Sequence, residues 1–354
     1  MQKISLLIVV SFFLMACPSE TIDPPVNKKD YGKGLYILSS TSVNYYDTKD
    51  AILKENILNT VNGVSVSYAS SIKTIDKDIY IVSKNTLYRV DAETFLLEME
   101  LSDFVDARDC EYAKFDRVYV SDAGKSEITV VDINKQDVIA HIKCGESVNP
   151  TDIVLSWERA FVVNSGGVVS SDYDSTIIAI DLKDGVVPLN NFAGNIVVDK
   201  NPVSVIHNGA IVVLCKGVYD DLNPSLNEES SICFVGAGSL NLQSSTTLNG
   251  VYNANNLILN NSETKYYITT SDGVYYLSST SLNKTLVTNK KTPTVLEINR
   301  ESFPNTDTTF LITDFLYMND ENKKDYIYKY NVYLNQFVDS FQVDSDVIDL
   351  EIYK

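Results

Sequence analysis

The stretch Arg117–Asp132, RVYVSDAGKSEITVVD, decides the fold of this 354-residue chain. Its two apolar segments, Val118–Val120 and Ile128–Val131, are separated by a polar segment that contains Asp122 and Gly124. Short β-branched segments on either side of such a turn predict a β-hairpin. Because the same pattern recurs along the chain, the fold follows from the repeat.

Seven segments share an apolar strand that usually carries Tyr or Phe, then a polar turn and a second apolar strand. They begin at LYILSS (Leu35), IYIVSK (Ile79), VYVSDA (Val118), AFVVNS (Ala160), AIVVLC (Ala210), YYITTS (Tyr266) and FLITDF (Phe310). A repeat of about 40–45 residues with several strands per unit is typical of propeller blades. Few windows have helical spacing, and the 22 Tyr suit half-buried strands. The sequence therefore predicts an all-β, seven-bladed β-propeller of four-stranded blades.

The two ends of the repeat region predict how the ring closes. The first repeat begins near Gly34 at its second strand, whereas the last residues, Asp346–Tyr353, form an extra strand. We expect this C-terminal strand to complete the first blade, because that pairing removes an exposed sheet edge. The propeller is therefore assigned to residues 34–354.

The N-terminal segment predicts export and lipid anchoring. Lys3 precedes an apolar run, Ile4–Met15, that is too short to span a membrane and has the form of a secretory signal. It ends in Leu-Met-Ala-Cys, which looks like a bacterial lipobox. Residues 1–16 are thus predicted to be a signal peptide, Cys17 the lipidated residue and 17–33 a tether; an ordinary signal with an incidental Cys is the alternative.

The charge and the cysteines restrict the remaining function classes. A formal net charge of −18 argues against nucleic acid as a partner and against membrane binding through a basic patch. The remaining cysteines, Cys110, Cys144, Cys215 and Cys233, fit no zinc pattern. Cys215 and Cys233 flank one long loop, so two alternatives remain: a disulfide between them, or two buried free thiols.

Three connections between second and third strands are longer than their equivalents: Asn164–Thr176, Lys216–Ser231 and Asp314–Asp325. In propellers they share a face with the loops that lead into the next inner strand, two of which contain Asn-Pro. Exposed aromatic and carboxylate side chains there suit a flat polar ligand such as a sugar or a corrinoid, unless the loops are only solvated excursions. The candidate ligand-binding residues are Asn149, Asp172, Tyr173, Asn201, Tyr219, Asp220, Asp221, Phe315 and Tyr317.

No catalytic or metal motif marks the chain as an enzyme. His141 and His207 lie within or beside predicted strands and are interpreted as structural. The sequence has no GxSxG, HExxH or GxxxxGK[ST] motif and no EF-hand loop. We therefore predict no catalytic residue, no cofactor and no bound metal.

The segments Lys114–Val154 and Asp199–Gly217 resemble the YncE-like, YVTN-type seven-bladed propellers, and in particular the lipoprotein branch of Bacteroidota. The resemblance covers residues 34–354 and is strongest over 70–217. It implies a surface lipoprotein, anchored to the outer membrane and monomeric when soluble, that captures a corrinoid or another nutrient for a TonB-dependent transporter. No short binding motif of the family can be placed on this sequence.

Two other classes of function remain open. A protein- or glycan-interaction module would present a broad aromatic patch with little concavity, whereas a small ligand needs a deep pocket. A metal-assisted lactonase or hydrolase would need at least two buried carboxylates that converge at the central channel with perturbed pKa values.

Overall fold

The computed structural model describes residues 29–165, 173–182, 192–220, 222–306 and 309–354. These residues form seven four-stranded antiparallel sheets around a central axis, so the predicted seven-bladed propeller is confirmed. In each blade the strands run from the axis outward as inner, second, third and outer strand. A short helix, α1 (Ile57–Asn62), connects the first two blades. In the described part of the chain, no helix has the length and apolarity needed to cross a bilayer.

The first three blades are regular apart from the closure of blade one. Blade one contains β1 (Gly34–Ser39), β2 (Val43–Asp47) and β3 (Ile52–Lys54), with β28 (Val347–Tyr353) as its inner strand. Blade two contains β4 (Ala69–Ile75), β5 (Asp78–Ser83), β6 (Leu87–Asp91) and β7 (Leu97–Leu101). Blade three contains β8 (Ala107–Tyr112), β9 (Arg117–Asp122), β10 (Glu127–Asp132) and β11 (Asp137–Lys143).

The remaining blades follow the same order from the axis outward. Blade four contains β12 (Pro150–Ser156), β13 (Arg159–Asn164), β14 (Thr176–Asp181) and β15 (Phe192–Val197). Blade five contains β16 (Pro202–Asn208), β17 (Ala210–Cys215), β18 (Ser231–Val235) and β19 (Leu242–Thr247). Blade six contains β20 (Asn255–Leu259), β21 (Lys265–Thr270), β22 (Gly273–Ser278) and β23 (Lys284–Thr288). Blade seven contains β24 (Leu296–Thr306), β25 (Thr309–Asp320), β26 (Lys323–Asn331) and β27 (Gln336–Gln342).

The C-terminal strand closes the ring as predicted. β28 pairs antiparallel with β1, from Gly34 opposite Tyr353 to Leu38 opposite Asp349. Val347, Leu350 and Ile352 of β28 are buried against blades one and seven. Closure therefore replaces a free sheet edge with a packed one.

The hydrophobic core lies between neighbouring blades. For example, Tyr119 and Ile128 of blade three pack with Ile153 and Val162 of blade four in one buried cluster. The inner strands all run in one direction, so the propeller has two distinct faces. We call the face where the inner strands begin the upper face, and the face where they end the lower face.

The prediction for blade seven was wrong in register. FLITDF, which begins at Phe310, was expected to be the start of the second strand of this blade. In the structure, the residue of this blade that pairs with its inner strand in the way that Tyr36, Tyr80 and Tyr119 do is Tyr317. Asp314–Asp325 is not a long loop, because β25 continues to Asp320 and β26 starts at Lys323. The extra residues of this blade instead lengthen its inner hairpin toward the lower face.

Candidate functional site: an acid-lined central channel

The upper halves of the inner strands line a cavity of ≈ 550 Å³ on the propeller axis. Its wall can be divided into levels, because each inner-strand residue has a defined partner on the second strand. At one level, each residue faces Tyr36 or its equivalent in the next blades. That level contains Glu351, Lys73, Glu111, Val154, Ile206, Ile258 and Glu297, from blade one to blade seven.

We call this level the lower level of the channel, and it has two different halves. The side chains from blades seven, one, two and three are all ionisable, whereas blades four, five and six contribute Val154, Ile206 and Ile258. One arc of the channel is therefore charged and the opposite arc is aliphatic. A molecule with a polar and an apolar end would meet a matching surface at each end.

The upper level lies two residues earlier in each inner strand. It contains Asp349, Ser71, Asp109, Asp152, Ser204, Asn256 and Val295, again from blade one to blade seven. Several of these side chains accept hydrogen bonds from the backbone of the next inner strand. The contacts are Ile72 N–H to Asp349 at 2.9 Å, Ile153 N–H to Asp109 at 3.0 Å, Val205 N–H to Asp152 at 2.8 Å and Leu257 N–H to Ser204 at 3.4 Å. The upper level thus links neighbouring blades as well as lining the cavity.

Lys73 is the basic side chain of the lower level. Its Nζ donates to Asp109 Oδ2 at 2.8 Å and lies 3.7 Å from a carboxylate oxygen of Glu111. Burial alone lowers the pKa of Lys73, but the attraction of Asp109, Glu111 and Asp152 outweighs it, so the pKa lies well above the usual value. Lys73 therefore stays charged and neutralises only part of the acidic arc.

The other carboxyl groups hold their protons unusually tightly. Burial, followed by the repulsion of Asp109, raises the pKa of Asp152 to about 7. Burial likewise raises the pKa of Asp349 to about 7. The pKa values of Glu111, Glu297 and Glu351 are also raised, chiefly by burial. Near neutral pH, Asp152 and Asp349 are therefore expected to be part-protonated.

These shifts predict how stability depends on pH. A carboxyl group whose pKa is higher in the folded state stabilises the fold below its unfolded pKa of about 3.9, and that contribution is lost as pH rises through about 7. We expect Asp349→Asn to raise the free energy of unfolding by about 2 kcal/mol at pH 8, less than the full shift implies, because asparagine accepts the Ile72 hydrogen bond more weakly.

Urea denaturation between pH 5 and pH 8 measures this effect. Asp349→Asn should flatten the pH dependence, whereas the exposed Asp137→Asn should change the free energy of unfolding by about 0.5 kcal/mol or less at every pH. Equal destabilisation by Asp349→Asn at pH 5 and pH 8 would show that the Asp349 carboxyl does not have a raised pKa in the folded protein.

One acidic cluster lies outside the channel. Oxygens of Asp78, Asp91 and Glu98 lie within 4.8 Å of one another, which is close enough for a metal ion. However, Arg89 already donates to Glu98 at 2.7 Å and has Nε 3.7 Å from Asp78. The guanidinium supplies the positive charge of this cluster, so its residues fit an ion-pair network better than a metal site.

The predicted loop face exists, but its residues have mainly structural contacts. Asn149 O accepts hydrogen bonds from Ser165, and Asn201 N–H donates to Asp174 O at 2.7 Å, so the Asn-Pro loops meet the blade-four connection on the upper face. Asn201 is buried. Tyr173 is half-buried, and Asp172 lies outside the described residues.

The blade-five connection folds back on itself. Val218 bridges to Glu228, and Gly217 has φ 74° with Glu228 O so close that no Cβ would fit. Asp220 accepts from the backbone of Leu222 and Asn223, and its hydrogen bonds with Asn223 lower its pKa. Tyr219 is half-buried, and Asp221 lies outside the described residues.

Two predictions of surface residues were wrong, and one disulfide is not formed. Phe315 and Tyr317 are buried core residues of β25, since the sheet continues where a loop was expected. Cys215 and Cys233 are buried free thiols whose sulfurs are 3.8 Å apart. The predicted lipidation site, Cys17, lies outside the described residues.

The sequence interpretation missed the channel residues, although a signal was present. Three inner strands contain Asp followed by a buried apolar residue and then a channel-lining one: Asp109–Glu111, Asp152–Val154 and Asp349–Glu351. Aligning the inner strands on the repeat would have placed these carboxylates at one level.

Comparisons with known proteins support the fold. No family model and no curated protein matches this sequence. Solved structures do match: a candidate 6-phosphogluconolactonase from Bacteroides uniformis has a TM-score of 0.63 and 11% identity over 90% of this chain and 99% of that chain. Hydrazine synthase from Kuenenia stuttgartiensis has a TM-score of 0.61 and 14% identity over 81% and 90%.

A third similar structure is a quinonprotein alcohol dehydrogenase-like protein from Bacteroides thetaiotaomicron, with a TM-score of 0.60 and 14% identity over 90% of this chain and 75% of that chain. These neighbours have different names and activities. At such low identities the likeness establishes the propeller fold, and function has to be argued from the channel.

Proposed function

We propose that this protein is a binding propeller whose central channel holds a small organic cation with an apolar portion. The observation that carries the proposal is the division of one channel level into an ionisable arc and an aliphatic arc. The cavity volume of ≈ 550 Å³ suits a ligand of ordinary small-molecule size. No catalytic step is needed to explain this arrangement.

The charge of the channel supports a cationic ligand. The wall contains six carboxyl groups and two basic side chains, Lys73 and Arg108, and Arg108 is already paired with Asp106 at 2.6 Å. The carboxyl groups are those of Asp109, Glu111, Asp152, Glu297, Asp349 and Glu351. A protonated amine has only N–H donors, and it can donate them to several carboxylates, which gives short, charge-assisted hydrogen bonds. The same wall would repel an anion such as a phosphorylated sugar, so the activity named for the Bacteroides uniformis structure is not transferred to this chain.

Glu297 is the residue best placed to select the charge. It lies beside the aliphatic arc, at the same level as Ile258 of the neighbouring blade, and its burial and the proximity of Glu351 raise its pKa. The described residues include no basic side chain within 4.0 Å of its carboxylate. A ligand cation would supply the missing positive charge and displace the proton.

Calorimetry with ligands that differ only in charge tests the proposal. We expect residues 18–354 to bind phenethylamine at least about tenfold more tightly than 2-phenylethanol and to bind phenylacetate not at all. Affinity for the amine should increase from pH 6 to pH 8, because the channel carboxyl groups lose their protons over that range.

Matched variants locate the binding site. Glu297→Gln should weaken amine binding about tenfold, whereas Glu321→Gln, on an exposed turn of the same blade, should leave it unchanged. If phenylacetate binds as well as phenethylamine, or if both variants behave alike, the cation-binding channel is wrong.

The hypothesis that the protein captures a corrinoid can be tested by calorimetry in the same way. A corrinoid is larger than the ligands that a cavity of this volume encloses, so it would have to rest on the upper face beside Tyr173 and Tyr219. Saturable binding of cyanocobalamin, weakened by Tyr173→Ala or Tyr219→Ala and unaffected by Glu297→Gln, would favour it. The proposed setting stays that of an exported outer-membrane lipoprotein that serves a transporter, supported by the lipobox-like sequence before Cys17.

A metal-assisted hydrolase is the second candidate, and one observation favours it. Several carboxyl groups converge on the channel with raised pKa values, as that class requires. Against it, Asp109, Asp152 and Asp349 already accept backbone hydrogen bonds, and in the described part of the chain no three channel carboxylates lie within 4.8 Å of one another. A binding role therefore fits the geometry better.

A further inference from the structure

The inner hairpin of blade seven is much longer than those of the other blades. In the other blades the inner strand ends one to two residues beyond the lower level of the channel. In β24 that level is at Glu297, so an inner strand of ordinary length would end by Asn299. β24 instead continues to Thr306, and β25 begins at Thr309. At about 3.3 Å per residue, the two arms project roughly 20 Å from the lower face.

The projecting arms pair only with each other among the described strands. β26 joins β25 from Phe315 onward, so the part of β25 before Phe315 has no third strand beside it. Phe310 and Ile312 alternate along this arm and therefore share one side of the ribbon. They are 72% and 62% exposed, which is unusual for two neighbouring large apolar side chains.

The base of the hairpin is basic in an otherwise acidic protein. A cavity of ≈ 560 Å³ there is lined by Lys33, Lys49, Arg300 and Lys354, with Glu301 as the acidic side chain. Glu301 is itself paired with Lys329 at 2.6 Å. The lining of this cavity therefore has four basic side chains and one acidic one, although the net charge of the chain is −18.

The preceding chain enters the propeller at the same place. β1 starts at Gly34 on the lower face, and Lys33 and Gly34 line the basic cavity together with Asn299–Ser302 of the hairpin. Any anchor upstream of Lys33 would hold this face toward the surface to which it is attached. An apolar projection beside a basic base is the arrangement by which proteins contact anionic bilayers.

We propose that the blade-seven hairpin is a membrane-contact element, with Phe310 and Ile312 buried at the apolar edge of a bilayer and the basic cavity over anionic headgroups. The upper face and its channel would then point away from the membrane. This orientation is independent of what the channel binds. It differs from the expectation that membrane association comes from the lipid anchor alone, because basic side chains are concentrated at the hairpin base.

Vesicle sedimentation of residues 18–354 tests the hairpin without the lipid anchor, and all seven blades and the closing strand lie within that chain. With vesicles of phosphatidylglycerol and phosphatidylethanolamine, we expect Phe310→Ser/Ile312→Ser to weaken binding at least about tenfold. Leu222→Ser removes a side chain of the upper face that is 90% exposed and should have no effect. Arg300→Gln should weaken binding to vesicles that contain phosphatidylglycerol and not to neutral ones.

Three outcomes would overturn the proposal. The first is that the parent chain binds no vesicles, and the second is that the double variant binds them as the parent does. The third outcome is a dimer of the parent chain in size-exclusion chromatography that the double variant does not form. The hairpin would then be a contact between two copies of the chain. Because Phe310 and Ile312 are exposed, thermal unfolding of the double variant should match the parent and confirm that it is folded.

Discussion

Removal of Val347–Lys354 is expected to abolish the native fold. β28 is the inner strand of blade one, and its loss would expose the whole edge of β1. Val347, Leu350 and Ile352 are each at most 6% exposed. At roughly 1.5–3 kcal/mol for each buried aliphatic side chain, their loss alone approaches the total stability of about 5–15 kcal/mol that is usual for a domain.

The same deletion removes two links to blade two. Asp349 accepts from Ile72 N–H, and Glu351 accepts from Thr74 N–H at 2.9 Å. Their loss leaves two backbone donors of β4 unpaired beside the channel, which adds about 1–3 kcal/mol for each buried donor. Blade two would therefore loosen together with blade one.

Near-ultraviolet circular dichroism and urea denaturation of residues 18–346 and 18–354 measure this effect. The shorter chain should lack a cooperative transition, and a peptide of residues 344–354 added in trans should restore part of it. Removing only Lys354, which is exposed, is the control and should change little. A cooperative transition of residues 18–346 at the same urea concentration would show that the closing strand is dispensable.

Lys73→Met should destabilise the protein by about 3–5 kcal/mol at pH 8. The substitution keeps the length of the side chain but leaves Asp109 and Glu111 without the cation that lies 2.8 Å and 3.7 Å from them. These carboxyl groups are buried beside Asp152, so their negative charges would repel one another in a medium that screens them poorly. The cost should fall toward pH 5, because burial raises the pKa of Glu111 and its carboxyl group takes up a proton more readily as the pH falls.

The control for Lys73→Met is an exposed lysine with a similar contact. Lys135 lies 2.9 Å from Asp132, but its side chain is 70% exposed, so Lys135→Met should cost about 1 kcal/mol or less. Urea denaturation at pH 5 and pH 8 compares the two variants. Adding Asp109→Asn to Lys73→Met should recover part of the loss; if it adds to the loss instead, the ion pair is not the source of the effect.

The fold was predictable because its signal is local and repeated. Tyr36, Tyr80, Tyr119 and Tyr267 occupy matching positions in their second strands, and the spacing between them is visible in the sequence. Blade seven was misplaced because its hairpin extends the alternation of apolar residues beyond the usual turn. Sequence alternation does not distinguish a longer strand from a new one.

The channel was not predictable from composition or loop length. The chain has 47 acidic residues, and the register between inner and second strands decides which of them face the axis. Asp152 and Asp349 are far apart in sequence, and they meet at one level only because the ring closes. Closure is a long-range property, so local patterns indicated the strands without indicating the shared cavity.

The position of β1 also determines how the propeller responds to mechanical load. The strand lies between β28 and β2 and forms antiparallel ladders with both. A force applied at Lys33 pulls along the axis of β1, so it acts in shear on both ladders at once and does not unzip the hydrogen bonds one by one. Many bonds then have to break together, which makes the chain resistant to being torn out of its ring by a pull on the segment that precedes it.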